Sequence, residues 1–205
     1  MITRADFAAI ASWIPEGARV LDLGCGDGSL LAYLGETRGV SGYGIENDER
    51  AILKCIENGV NVLQVNLESG MAEIADQSFD IVILSQTLQA MKRTEAVVAD
   101  MLRVGREAIV TFPNFGYWKH RTQIALGGRM PVSDDLPYQW YNTPNIHLFT
   151  IADFEAFCAA RHYQVLNRSV FTGGVEQKLL PNLLGTLALY RFTNAANATH
   201  SGGIA

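Results

Sequence analysis

The sequence predicts an α/β fold: a mostly parallel, seven-stranded, doubly wound sheet with helices on both faces. Three observations predict it. An apolar strand, Val20-Leu21-Asp22-Leu23, runs into glycines at alternate positions, Gly24, Gly26 and Gly28, and a helical run opens at Ser29. From residue 19 to 112, apolar runs alternate with runs of helical period, as parallel strands joined by right-handed crossovers require. The stretch Phe-Asp-Ile-Val-Ile-Leu at 79–84 has the near-continuous apolar texture of a strand covered on both faces.

Each element follows from its own pattern. Residues 3–14 carry Phe7, Ile10, Ala11 and Ile14 at helical spacing, with Thr3 as N-cap. Residues 19–23 form the first strand, 29–34 a short helix ending near Gly35, and 40–46 the second strand. Asp48 caps a helix over 49–57, with Gly59 as its stop. Residues 62–65 and 79–84 form the third and fourth strands. A helix over 92–104 places Ala96, Val97, Met101 and Leu102 on one stripe and stops at Gly105; the fifth strand, 107–112, is broken by Pro113.

Past Pro113 the texture changes. Residues 114–149 are rich in aromatics, with Gly127-Gly128, Pro131, Pro137 and Pro144, and little period beyond a helix over 117–126. This segment reads as a cap inserted in the sheet. A helix over 151–161 then points Ile151, Phe154, Phe157 and Cys158 inward. Residues 163–171 and 187–192 form a final antiparallel pair of strands with a long connection. One domain over 1–193 and a small, polar, disordered tail over 194–205 complete the reading.

Composition narrows the function. A chain of 205 residues, 48% hydrophobic and 18% charged, has the make-up of a soluble globular domain. No apolar run reaches the ~18 residues that span a bilayer, and no signal-peptide pattern opens the chain. A net charge of −5 argues against a nucleic-acid backbone as main partner. Cys25, Cys55 and Cys158 are odd in number and form no C-x-x-C pair, which fits a reduced, cytoplasmic protein. The four histidines show no ligand spacing, so no metal site is expected.

The chemistry concentrates at the glycine turn. A strand–turn–helix unit aims free N–H groups and the positive end of a helix dipole at one point, where an anionic group fits. Glu46 closes the second strand 22 residues past Gly24. That is near the ~20-residue offset at which an acid accepts hydrogen bonds from ribose hydroxyls. The spacing is G-x-G-x-G, not the dinucleotide G-x-G-x-x-G, and no Gly-Lys-Ser/Thr follows. Ligands of such sheets sit beyond the carboxyl ends of the strands, so Asn47, Asn66, Leu67 and Ser85 join the candidates. Asn66 is a ligand-contacting amide or a turn former, and Leu67 a ligand-packing side chain or core. Asp22 braces the turn, and Cys25 is a small residue that fits it or, alternatively, a catalytic thiol.

The run LDLGCGDG (21–28) resembles the first motif of class I S-adenosylmethionine (SAM) methyltransferases. The resemblance implies SAM or S-adenosylhomocysteine as cofactor and a Rossmann-like fold. It places the glycine turn at the methionine end and the acid Glu46 at the ribose, with Asp22, Gly24, Cys25, Gly26 and Asn47 counted as cofactor-binding candidates beside them. After the fourth strand, Ser85-Gln86-Thr87-Leu88-Gln89 replaces the Asn/Asp-Pro-Pro-Tyr/Phe clamp of enzymes that methylate base or amide nitrogens. No catalytic base is identified.

Four further segments are more specific: SFDIVILSQTLQAM (78–91), FPNFGYWKHR (112–121), GGRMPV (127–132) and LPYQWYNTPNIHLFTIADFE (136–155). Together they resemble the MetW family of methionine biosynthesis, over about residues 16–192. That resemblance implies a partner, the homoserine O-acyltransferase MetX, whose activity such a protein supports. The alternative is an independent SAM-dependent methyltransferase acting on a small molecule. Tyr117, Trp118, Tyr141 and His147, in the aromatic segment, are the candidates for touching a substrate or partner, and the segment itself reads as cap, docking surface or acceptor pocket.

Overall fold

The computed structural model describes residues 4–194. Helix α1 (Arg4–Trp13) leads into β1 (Arg19–Leu23), α2 (Ser29–Arg38), β2 (Ser41–Glu46), α3 (Glu49–Glu57) and β3 (Val62–Gln64). Strand β4 (Phe79–Ser85), α4 (Thr94–Val104) and β5 (Gly105–Pro113) follow. Helix α5 (Trp118–Gly127) lies in the aromatic segment, ahead of α6 (Ile151–Ala160) and β6 (Tyr163–Thr172). Strand β7 (Val175–Glu176), the short α7 (Pro181–Leu184) and β8 (Leu187–Asn194) close the chain.

The sheet has eight strands in the order β3-β2-β1-β4-β5-β8-β6-β7. Strands β3 to β5 run parallel; β8 inserts antiparallel between β5 and β6. The chain order reverses on the two sides of β1 and β4, so the crevice of a doubly wound sheet opens above the carboxyl ends of β1, β2 and β4.

Strict alternation along the central strands builds a core on each face. On one side Leu21, Val82, Leu84, Val110, Phe112 and Tyr190 pack against Val98, Met101 and Leu102 of α4 and Phe154 of α6. On the other, Val20, Ile81, Ile83, Ile109 and Leu189 pack against Ile10 and Ile14 of α1 and Leu30, Leu31 and Leu34 of α2. A period of two with both sets apolar is what a sheet covered on both faces requires.

Several expectations are corrected. The sheet has an eighth strand, because Gly173 and Gly174, at φ 56° and 81°, form a tight turn that folds β7 back on β6. Helix α2 does not stop near Gly35; it continues to Arg38, where Gly39 at φ 62° donates its N–H to the carbonyls of Gly35 and Leu34. Helix α4 starts at Thr94 rather than residue 92, and Asn194 belongs to β8 rather than to a tail. Thr3 and residues 195–205 lie outside the described residues. Asp48 does cap α3, its Oδ1 accepting the Ala51 N–H at 2.9 Å. No helix among the described residues is long and apolar enough to cross a membrane.

Candidate functional site at the glycine turn

The turn after β1 uses left-handed backbone at all three glycines, with φ of 66°, 56° and 75° at Gly24, Gly26 and Gly28. Residues with a Cβ adopt that region at a cost, so glycine is the residue that fits. The N–H groups of Gly24 and Cys25 both donate to the Ile45 carbonyl, at 2.8 and 3.1 Å, which pins the turn to the end of β2. A Cβ built on Gly24 would touch Thr87 Oγ1 at 3.2 Å, whereas one built on Gly26 meets nothing within 4 Å. The turn therefore has a packed side against the loop after β4 and an open side at Gly26.

Glu46 faces this turn. Its Oε2 accepts the Gly26 N–H at 3.0 Å, and Oε1 accepts the N–H groups of Asn47 and Asp48 at 2.7 and 3.0 Å. A carboxylate offers about four acceptor positions, so three backbone donors leave one, on Oε2. Asn47 enters this arrangement through its backbone.

Asp22, the last polar residue before the turn, is 2% exposed, and its Oδ1 has no hydrogen-bond partner among the described residues. Burial, reinforced by the charge of Glu46, pushes its carboxyl from 3.8 up to about 8. A buried acceptor without a donor, beside a second carboxylate, forms a site that favours a cation. The ammonium of an amino-acid end and a sulfonium both fit that chemistry, and the free Oε2 position of Glu46 fits a sugar hydroxyl.

Cys25 plays a structural part. Its thiol lies against Gly44, where any Cβ would collide with it, and 3.7 Å from Cys55 Sγ, which donates to the Gly26 carbonyl at 3.1 Å. Burial, then the charge of Asp22, pushes the Cys25 thiol well above its ordinary pKa. A nucleophilic thiol needs the opposite shift.

The remaining candidates divide. Asn66 forms a turn: its Oδ1 accepts the Glu68 N–H at 3.0 Å at the start of a 3-10 turn over Leu67–Ser69. Leu67 is 9% exposed and belongs to the core. Ser85 pairs with Thr111, Oγ to Oγ1, at 3.1 Å at the crevice edge. Tyr117 and Trp118 sit edge to face, and Trp118 carries the Lys119 ammonium over its ring at 5.7 Å. Tyr141 is 70% exposed and meets the Trp140 ring edge to face. His147 lines a separate groove of about 800 Å³ with Thr94 and Phe157, away from the turn. These four do not converge on one point.

Sequence reading named the loop after β4 but not its conformation. Gln86 holds φ 49° without being glycine, fixed by Thr111, whose carbonyl and Oγ1 both accept its N–H at 2.9 Å. Such backbone clusters at functional loops. Asn114 is wholly buried; its Oδ1 accepts the N–H groups of Gly116 and Ile151, and its Nδ2 donates to the Gly185 carbonyl at 2.8 Å. Sequence signals existed in Gln86-Thr87 directly after an apolar strand and Asn114 directly after Pro113.

The family model of methionine biosynthesis protein MetW matches residues 4–192. The chain belongs to the MetW family. This MetW-family chain is 38% identical, over 157 residues, to the bifunctional methionine biosynthesis protein MetXA/MetW of Rhodopirellula baltica; the match takes in 72% of the chain and 25% of that relative. It is 35% identical over 105 residues to the ribosomal protein L11 methyltransferase of Aquifex aeolicus, covering 49% of the chain and 40% of that protein. The chain thus spans well under half the length of either curated relative. Among solved structures, an S-adenosylmethionine dependent methyltransferase from Mesorhizobium loti superposes with a TM-score of 0.66 at 15% identity, covering 92% of this chain and 97% of that one. A SAM dependent methyltransferase from Archaeoglobus fulgidus gives 0.66 at 14% identity, covering 92% and 93%. The MetW-family fold is therefore the Rossmann-like fold of SAM methyltransferases.

Proposed function

We propose that this protein binds SAM or S-adenosylhomocysteine at the glycine turn and acts as an auxiliary subunit of a homoserine O-acyltransferase of the MetX type. The observation that carries the partnership is the relative whose one chain bears both names, MetXA and MetW. That fusion supports the reading that the two polypeptides work together where they are separate. The ligand reading rests on the open side of Gly26, the orphaned Oδ1 of Asp22 and the spare acceptor position of Glu46. In this reading Asp22 attracts the cationic end, the turn's N–H groups face the carboxylate, and Glu46 takes a ribose hydroxyl. Bound SAM supplies an activated methyl group; the protein's share is to bind and orient it.

Reconstitution tests the partnership. Homoserine acylation by the purified acyltransferase is expected to rise when this protein is added, and the two are expected to co-elute. An unchanged rate together with separate elution contradicts it.

A second reading has its own support. The cavity past β4 and β5 shares Thr87 with the packed side of the turn, so an acceptor held there would adjoin SAM bound at the turn. Transfer of a labelled methyl from SAM to a small molecule, lost in Gly24→Arg, would favour an independent methyltransferase.

A further inference from the structure

A groove of about 800 Å³ lies between α4 and α6, apart from the glycine turn. Its floor is apolar: Leu88, Phe149, Phe154 and Phe157. The floor continues the core, with the Phe149 and Phe154 rings centred 4.6 and 5.1 Å from that of Phe112, so it is fixed before anything binds. The α4 wall is low. Ala96 and Ala99, three positions apart on one helical face, line the groove where longer side chains would fill it. Lys92, Arg93, Ala99, His147 and Asp153 are exposed, so this is a trough open to solvent and not an enclosed chamber. The side-chain ridge of a further helix fits such a trough, as an amphipathic helix laid into an apolar groove does.

The charges around the groove are unevenly answered. Glu95 is paired with Arg161 at 2.7 Å, and Asp153 Oδ2 accepts from the N–H and Oγ1 of Thr150 at 2.9 and 2.8 Å. Glu68 Oε1 accepts the backbone N–H of Lys92 at 2.7 Å. The acids here are thus engaged within the fold. The Lys92 ammonium and the Arg93 guanidinium, by contrast, make no ion pair among the described residues. Arg93 is also the N-cap residue of α4 and gives it no side-chain cap, so the positive end of that helix adds to the two cations. Unanswered cations beside an apolar floor are complementary to a surface that is apolar and acidic. Two of the four family-specific segments, 78–91 and 136–155, supply Leu88, His147, Phe149, Asp153 and Phe154, whereas the glycine turn supplies none of the lining.

We propose that this groove is the docking site for the acyltransferase. It receives a helical segment of that partner, whose apolar face meets Phe149 and Phe157 and whose acidic side chains pair with Lys92 and Arg93. The inference rests on the partnership proposed above and deepens it by naming the surface.

The test measures binding of the purified acyltransferase to the full chain by surface plasmon resonance over a range of salt concentrations. Wild-type affinity is expected to weaken as salt rises. Lys92→Glu/Arg93→Glu puts acids at a helix N-terminus, which tolerates them. This double variant is expected to bind at least about tenfold more weakly at low salt, with a flattened salt dependence. Ala99→Trp fills the trough and is expected to weaken binding by a similar factor while the salt dependence stays. Both changes fall on exposed positions and should keep a native circular dichroism spectrum. Affinity unchanged in either variant, with the wild type binding, would overturn the docking site and leave the partnership standing. No binding by the wild type would overturn both. A wild-type dimer that the same substitutions dissociate would assign the groove to a second copy of this chain and likewise overturn the proposal.

Discussion

Asp22 carries the sharpest consequence at the scale of single residues. Its folded pKa of about 8 lies above the unfolded value of 3.8, so the native state holds the proton more tightly. Its contribution to stability is fully present below about pH 4 and is lost as pH rises through about 8. The stability of the wild type relative to Asp22→Asn should therefore fall between those limits, at up to about 1.4 kcal/mol per pH unit. Urea denaturation of both proteins across that range measures it; a difference flat in pH would show that Asp22 is ionised in the fold. Glu46→Gln keeps the shape but removes the charge that the Gly26 N–H and a sugar hydroxyl would share. Binding of S-adenosylhomocysteine should weaken by about 10- to 100-fold, the worth of a charged hydrogen bond. The positions of Gly24, Gly26 and Glu46 were legible because spacing along one βα unit fixes them. Asn66 and Leu67 were ambiguous, since a short polar residue after a strand serves a turn as well as a ligand. In the structure Asn66 makes the turn and Leu67 fills the core.

Elements were legible in proportion to how locally they are determined. Helix α3 matches its expected bounds because Asp48 caps it and its register needs no distant partner. Helix α6 has the same character. Thr150 Oγ1 accepts the Asp153 N–H at 3.3 Å, and Asp153 Oδ2 accepts the Thr150 N–H at 2.9 Å, a reciprocal cap. Thr150→Ala should cost about 1 kcal/mol in chemical denaturation, with little effect on ligand binding at the glycine turn. Strand β7 escaped notice because two residues carry no period; only Gly173-Gly174 announced it. The conformation of the loop after β4 escaped for another reason. Its conformation at Gln86 is imposed by Thr111 on the neighbouring strand, a contact that spans 25 positions in sequence. Substituting Gly44 by Val should disturb the turn from behind, since a side chain there collides with Cys25. A weakened affinity for S-adenosylhomocysteine in a folded Gly44→Val protein is the expected reading.

At the scale of the whole molecule, the sheet order brings three separate loops to one crevice. The turn after β1, the acid ending β2 and the Gln86-Thr87 loop after β4 lie side by side because β2, β1 and β4 are neighbours. The aromatic cap over residues 114–149 joins them through backbone bonds to Gln89 and through Asn114, so the crevice and its neighbouring cavity share walls. Isothermal titration of the full chain with S-adenosylhomocysteine, beside Gly26→Val as the variant whose side chain fills the open side of the turn, addresses the central claim most directly. Saturable one-to-one binding by the wild type, abolished in a Gly26→Val protein with native circular dichroism, is the predicted result. Absence of binding by the wild type, or equal binding by both, would contradict it.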